Sequence, residues 1–582
     1  MKRPLVFYFV SIILGILTAA LLKIDILIGA VIAASFFCSM FFTLKKSFVI
    51  INLAFFLMGF LCLIYYFGIN INNNKSIDLR ISDKSGLLYI GDYKGRKVTI
   101  NEKNAKFKFG EIVKVKGTYK RDVDYGNGIV GIIDVEKDYG CRSDIITKMY
   151  SIRNEIYENY ASNIGKDRAG VIMSLCFGDT SNLSKKDKND LKKLGIIHAV
   201  SVSGMHMAVI YEILEKTLGL ASAIIVSLFY VIFTGCLPAT MRAFIMIFVL
   251  KLSIKVYKNY DGLSSLALSG ILMLIFKPYY IFNIGAVLSY LATMGIMLYY
   301  KKISRMFYKL PQKLNESLSL TLSAQIFSVP YAGFVLKNFS GGFILGNLII
   351  VPIYSVLIIL GNLGGIFYNV KPIFQHICDL VYILLISCDG LIKLALKITP
   401  QIIYMSEITS VSLAFIFFSF ILIKKGYKKF KYLPIIFSIG IIINSYNAIP
   451  CIECININNK KAFVVKYREY SALITNYKIK DSSQKESILN SLGVKKLVNI
   501  KDKYTLRIKN QYTIYFDDSV KIYDKGSKIA DIRGDNIYYS KFYTHQYGII
   551  KLDDSDKYSF LGVRATAELI DGKVLVLKGC EK

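Results

Sequence analysis

His198 and His206, half of the chain's four histidines, flank a Ser-Val-Ser-Gly core in the stretch GIIHAVSVSGMHMAVIYEIL, Gly195 to Leu214. The surrounding sequence is apolar enough to face lipid, where ionisable groups are costly and mark functional positions by default. Three chemistries are open to these residue types. A metal pair on a helix needs imidazoles at i and i+4, but these two stand about 12 Å apart along a straight helix, too far to share one ion. An intramembrane serine hydrolase would use Ser203 as nucleophile with a histidine base from another helix, for which His376 is a distant candidate. The third reading is a broken polar segment lining an aqueous path. Ser201, Ser203 and Gly204 weaken the helix, and irregular backbone at membrane depth survives only where protein or water satisfies it. Small residues at these positions would equally serve close helix packing. The third reading requires no metal and no cofactor.

The elements that hold this stretch are helices. Apolar residues make up 54% of the chain, mean hydropathy is +0.44, and long apolar runs recur from Leu5 to Ile449. Runs such as FVSIILGILTAALL and SLAFIFFSFILI lack period-2 alternation, so they read as helices, roughly a dozen of them at bilayer length. Spans near 5–22, 26–43 and 48–68 come first, the first being an anchor because no cleavage site follows it. Net charge is +32, from 73 basic against 41 acidic side chains. Part of the excess fits positive-inside loops at Lys2/Arg3, Lys45/Lys46, KKISRMFYKLPQK and KKGYKKFKY. That placement makes the N-terminus cytoplasmic and puts both 69–165 and 450–582 outside. Those two stretches are also basic, which favours anionic partners, either nucleic acid or lipid headgroups.

Four parts follow: N-terminal transmembrane helices at 1–68, a β-domain at 69–144, a long helical bundle at 145–449 and a small mixed α/β domain at 450–582. In the β-domain, the runs GLLYIGD, KGRKVTI, GEIVKVKGTYK and GIVGIIDVEK are separated by Gly, Asn and Asp turns. About five short strands of this kind suit a small barrel such as an OB-fold. In GEIVKVKGTYK, apolar Val113 and Val115 alternate with Lys114 and Lys116, as for a strand with one buried face. Cys451 and Cys454 form a C-x-x-C with no second pair or histidine nearby, a weak metal or redox signal.

HAVSVSGMHM resembles the H-L-L-A-I-S-G-L-H-V signature of the ComEC-type competence protein family, with His198, Ser203, Gly204 and His206 matching. Further stretches follow in the family's order. LCFGDTSNLS keeps Gly178 and Asp179. TGCLPATMRAFIM keeps Thr234, Gly235, Pro238, Arg242, Ala243 and Met246, and KPYYIFNIGAVLSYLA keeps Pro278, Gly285, Leu288 and Ser289. In the last, Ala286 and Val287 replace the family's Phe-Gln. SAQIFSVP and NLIIVP fit through Gln325, Pro330, Asn347 and Pro352. The resemblance implies a polytopic α-helical membrane protein with an inserted OB-fold-like β-barrel, acting as an inner-membrane channel for uptake of single-stranded DNA in natural competence. It implies single-stranded DNA and the lipid bilayer as partners, with a DNA receptor and a cytoplasmic ATPase of the uptake machinery. The path would be lined by His198, Ser201, Ser203, Gly204, His206, Thr234, Gly235, Pro238 and Arg242. On an OB-fold, strand contacts come from basic grooves and aromatic rings, here Lys94, Arg96, Lys97, Lys114, Lys116 and Tyr119.

The resemblance also implies a C-terminal metallo-β-lactamase-like domain, from which this tail departs. IECININNKKAFVV lacks the family's aspartate and Gly-Gln-Gly, Lys501-Asp502-Lys503 stands where the histidine cluster belongs, and the tail holds one histidine, His545. A two-metal hydrolase needs several imidazole or carboxylate ligands, so the tail reads as a degenerate, catalytically dead domain and the whole as no enzyme. The alternatives are a membrane enzyme (an intramembrane hydrolase or a metal-dependent nuclease) and a non-DNA transporter on the same fold.

Overall fold

Three apolar helices open the chain: α1 (Pro4–Leu21), α2 (Ile26–Thr43) and α3 (Lys46–Phe67). The computed structural model describes the chain except residues 1–2, 23–25, 44, 72–75, 86–87, 103–106, 401, 425, 447–448, 458–459, 469, 480–481, 500–503, 509–510, 517–518, 534–535, 541–546, 552–560, 571–572 and 579–582. α1 and α3 cross where a side chain on Gly15 would strike the Phe56 carbonyl and one on Gly59 the Ile12 carbonyl, the close approach that small residues permit between membrane helices. The polar groups in this seam partner each other: Ser11 Oγ donates to Asn52 Oδ1 at 2.8 Å, and Asn52 Nδ2 to the Phe48 carbonyl at 2.8 Å.

Strands β1 (Ile77–Ser85), β2 (Leu88–Tyr93), β3 (Arg96–Asn101), β4 (Ile112–Lys120) and β5 (Ile129–Arg142) close a barrel in the order β1-β2-β3-β5-β4. β3 runs parallel to β5, and β4 antiparallel to β1, the five-stranded OB-like arrangement expected from the turn spacing. Val113 and Val115 point into a core with Leu79, Ile81, Val98, Ile100 and Val130, while Lys114 is exposed and Lys116 half-buried.

The barrel hands over to α4 (Ile145–Ile164) through Asp144, which caps the helix by accepting from the Ile146 and Thr147 amides. Arg80 grips the same carboxylate with two bonds, Nη1 to Oδ1 at 2.9 Å and Nη2 to Oδ2 at 2.6 Å. That guanidinium, with the capping amide, holds the Asp144 carboxyl well below the usual carboxylate range. A depressed folded-state value means the stabilisation is present above the unfolded value, roughly pH 4, and is lost as pH falls below it. Both partners are about a third exposed, so solvent screening limits the charge pair to about 1 kcal/mol. Asp144→Asn, which keeps a capping side chain, should lower thermal stability by that amount at pH 7. The difference from wild type should shrink near pH 3. A gap of equal size at both pH values would show that the charge contributes nothing.

After α4 come α5 (Lys166–Phe177), α6 (Lys185–Lys193), α7 (Gly204–Leu218), α8 (Leu220–Phe233), α9 (Pro238–Lys255), α10 (Gly262–Phe276), α11 (Ile284–Met306) and α12 (Gln312–Leu336). Among the described residues six helices are long and apolar enough to cross a membrane: α1, α3, Ile197–Leu218, α11, α12 and Phe343–Phe367. Four shorter apolar helices accompany them among the described residues. Turns divide the apolar runs, as at Gly219 and Gly235, both with positive φ. The chain is a multi-pass membrane protein with a barrel inserted after its third helix.

Two compact units result: Met1–Ser328 with Gly342–Thr399, and Val329–Gly341 with Pro400–Lys582. The division differs from the expected 449/450 boundary. In the second unit, Asn338–Phe339 pairs with Ile403–Tyr404, and the Lys466 ammonium lies over the Tyr404 ring at 5.2 Å. The Tyr404 contact ties this short strand pair to the tail's strand Lys460–Tyr467. The tail itself is mixed α/β, as expected. Its first six-stranded sheet contains one parallel pair, Tyr470–Thr475 with Lys496–Asn499, linked by helix Ser482–Leu492. A second, antiparallel six-stranded sheet packs on it through Ile452, Val465, Ile514 and Ile522. His545 and Lys501-Asp502-Lys503 lie outside the described residues, among which no cluster of three or more His, Cys, Asp or Glu could hold a metal ion. Cys451 and Cys454 share one strand, Cys451–Ile457, and three residues' separation puts them on opposite faces.

Candidate functional site

The stretch around Ser203 is broken, as the small polar residues suggest. Ile197–Ala199 forms one 3-10 turn, Val200 to Ser203 leave the helix, and α7 starts at Gly204. Ser203 is extended at φ −116°, ψ 175° and caps α7. Its amide donates to His206 Nδ1 at 2.9 Å and its Oγ lies 2.7 Å from the same nitrogen. An imidazole thus takes the place that Glu or Gln holds in a capping box. Because Nδ1 accepts from the amide, a neutral ring carries its proton on Nε2, which is buried without a hydrogen-bond partner among the described residues. His198 is exposed at the opposite end, where Ser201 Oγ donates to its carbonyl at 3.3 Å.

Four separated stretches meet at this break. A side chain on Gly178, which is left-handed at φ 73°, would lie 2.8 Å from Leu237 Cδ1 and 3.4 Å from Val202 Cγ2. Thr234 ends α8 by donating to the Val231 carbonyl at 3.0 Å. Gly235 and Cys236 then turn the chain at φ 84° and 52°, and Pro238 starts α9 at its first position, where its missing N–H costs nothing. One turn into α9, Arg242 is buried at 8% exposure. Its Nε donates to Ser289 Oγ at 2.9 Å, and its Nη1 lies 3.5 Å from Met246 Sδ. Its Nη2 lies 2.6 Å from where a Cβ on Gly204 would be. Glu215 and Lys251, paired at 2.7 Å, fix α7 to α9 further along.

Gly204 is needed for a different reason from the one its neighbours suggest. Its φ is not positive; the break precedes it, and the missing Cβ makes room for the Arg242 guanidinium. Ser289 was visible only as a retained serine in GAVLS; nothing in the sequence paired it with Arg242. Among the described residues Arg242 has no carboxylate partner, so a buried cation stands without a counter-charge. Guanidinium remains ionised even there and presents its donors in a planar fork suited to phosphate.

The barrel residues divide into two groups. Lys94 sits exposed on the β2–β3 turn, Lys114 is exposed, and Lys116 lies opposite Lys137 in the β4–β5 register, like charges that a polyanion would relieve. Arg96, Lys97 and Tyr119 are placed otherwise. Arg96 is buried, its Nε donating to the Tyr66 carbonyl and its Nη2 to the Tyr65 carbonyl, both at 2.9 Å. It therefore satisfies the open carbonyl end of α3 and is not on a strand-facing groove. Tyr119 donates to the Val130 carbonyl at 3.0 Å with its ring over Gly131, a covered position and not a stacking platform. Lys97 is half-buried at the barrel's junction with the bundle, its ammonium 5.5 Å from the Tyr279 ring. Arg96→Ala should accordingly lower thermal stability yet leave the salt dependence of strand binding unchanged. Lys114→Ala with Lys116→Ala should flatten the plot of log affinity against log salt by about 0.7 per lost phosphate contact. Fluorescence anisotropy with a labelled single strand checks both, and a flattened slope in Arg96→Ala would reverse the division.

Residues 175–426, which contain every segment of this cluster, match the sequence family described as Competence protein. The chain is 27% identical over 229 residues to ComE operon protein 3 of Bacillus subtilis (strain 168), covering 38% of this chain and 29% of that protein. It is 28% identical over 161 residues to an uncharacterized protein of Aquifex aeolicus (strain VF5), covering 26% of this chain and 38% of that one. The matches thus span less than half the length of either curated relative. No solved structure matches. Family match, related sequence and the convergence of the ordered stretches on one buried arginine agree: residues 175–426 are similar to the competence protein family.

Proposed function

We propose that the chain conducts single-stranded DNA across the bacterial inner membrane during natural competence. The observation that carries this reading is Arg242, a buried guanidinium without a counter-charge among the described residues, where four separated stretches meet at a break in the helix. A strand's phosphates would supply the missing negative charge in turn as they pass. The OB-like barrel, with Lys94, Lys114 and Lys116 exposed or half-exposed, would receive the strand outside the membrane. A cytoplasmic N-terminus with barrel and tail outside follows from the basic loops. A DNA receptor would deliver the strand and a cytoplasmic ATPase would draw it in. No catalysis and no cofactor enter this reading, and the tail acts without a metal.

The decisive experiment is natural transformation in a strain lacking this gene. Labelled DNA should still bind the cell surface but fail to reach the cytosol, and a plasmid copy should restore entry. Normal transformation in the deletion strain would end the proposal. One observation favours a second reading, an intramembrane hydrolase: the 2.7 Å contact between Ser203 Oγ and His206 Nδ1 has the reach of a nucleophile and its base. The capping role explains the same contact. Ser203→Asn keeps a capping side chain and removes the nucleophile, so retained DNA entry in that variant excludes the hydrolase.

A further inference from the structure

Arg153 stands on α4, the helix that leads from the barrel to the bundle. Its guanidinium lies between two rings, 4.9 Å from the centre of Tyr150 and 5.2 Å from that of Phe233. Nε is buried without a hydrogen bond, and among the described residues no carboxylate pairs with the group. Nη2 faces the turn after α8, 3.9 Å from where a Cβ on Gly235 would be. Asp179 is within electrostatic reach of Arg153, but its carboxylate accepts from the Ser181 amide at 3.0 Å.

Two lysines continue the line. Lys277 is half-buried beside the same turn, within electrostatic reach of Cys236, with its ammonium 5.7 Å from the Tyr280 ring. Lys97 follows on β3 over Tyr279. Burial, and then the neighbouring Lys277 charge, push the Lys97 ammonium below its ordinary value, although Asp83, Asp92 and Asp124 oppose this from a distance. Burial lowers Arg153 likewise. None of the three forms an ion pair among the described residues, and each rests on aromatic faces that position a cation without neutralising it.

We propose that Lys97, Lys277 and Arg153 form a phosphate-binding track at the junction of barrel and bundle, carrying the backbone of a single strand from β3 past the Gly235–Cys236 turn. The inference rests on the transport reading and extends it with a named route between the two domains. A series of separated cations matches the regularly spaced charges of a polymer, whereas a single lipid headgroup calls for donors converging on one point. A side chain at the Gly235 position would start 3.9 Å from Arg153 Nη2, so the glycine adds no atoms on that side of the fork.

The test uses the full chain in detergent, a fluorescein-labelled oligothymidylate and anisotropy titrations over a range of salt. Arg153→Gln and Lys277→Gln should each weaken binding roughly tenfold at low salt and flatten the salt slope by about 0.7. Arg153→Lys should keep most of the slope, since charge without the fork remains. Lys277, half-exposed and outside the packed helix face, guards against a variant that simply misfolds. Wild-type binding with unchanged slopes in both Gln variants overturns the track while leaving the channel standing. Absence of any binding by the wild type overturns the transport reading with it. Unchanged DNA slopes with reduced retention of phosphatidylglycerol would make the ligand a lipid headgroup and overturn the track.

Discussion

Gly204→Leu should abolish DNA entry while the protein still reaches the membrane at wild-type levels. Gly204 opens α7 with ordinary helical backbone, so a side chain is not excluded by conformation. It is excluded by space: a Cβ would sit 2.6 Å from Arg242 Nη2 and 3.5 Å from the Ala243 Cβ. The first neighbour is the end of a flexible side chain, so alanine can be accommodated by a small shift of the guanidinium. Leucine adds three further carbons in the same direction and must drive Arg242 off Ser289. Overpacking of this kind costs about 1–3 kcal/mol, which is up to about a hundredfold in the population of the native arrangement. Transformation frequency should therefore fall steeply with leucine and modestly with alanine, measured at matched membrane abundance. Normal transformation by Gly204→Leu would reduce the broken segment to a packing device.

The break itself was legible because Ser201 and Ser203 crowd small polar groups into one short apolar stretch, and the barrel because its alternating strands are punctuated by turn residues. Val113 and Val115 went inward and Lys114 outward, as period-2 patterning requires. What stayed hidden were pairings between distant segments. Arg96 has the same sequence context as Lys97 and Lys94, yet its longer fork reaches two carbonyls at the end of α3. No local pattern distinguishes a strand-face arginine from one that satisfies a helix end thirty residues earlier. Arg153 sits in a polar helix among ordinary charges and acquires meaning only once Phe233 and Gly235 are brought beside it. Helix boundaries stayed hidden for a related reason: apolar composition runs on through turns such as those at Gly219 and Gly235, and only the turns show where each helix stops.

Arg242→Gln should stop DNA entry and leave folding almost untouched, and this contrast separates a pore residue from a structural one. A buried ion pair broken at one partner is strongly destabilising because it strands the other charge. Arg242 has no such partner among the described residues; its contacts are the Ser289 hydroxyl and the Met246 sulfur. Replacing it with neutral glutamine removes a desolvated charge and keeps a donor for Ser289. The thermal midpoint in detergent should therefore stay within the few degrees expected of a near-neutral change, or rise. Transformation should drop by an order of magnitude or more, the scale of a lost charged hydrogen bond. Arg242→Lys should fall between, retaining charge but not the fork that meets two phosphate oxygens at once. A glutamine variant that melts far below wild type would make Arg242 part of the scaffold, and one that transforms normally would remove it from the DNA path.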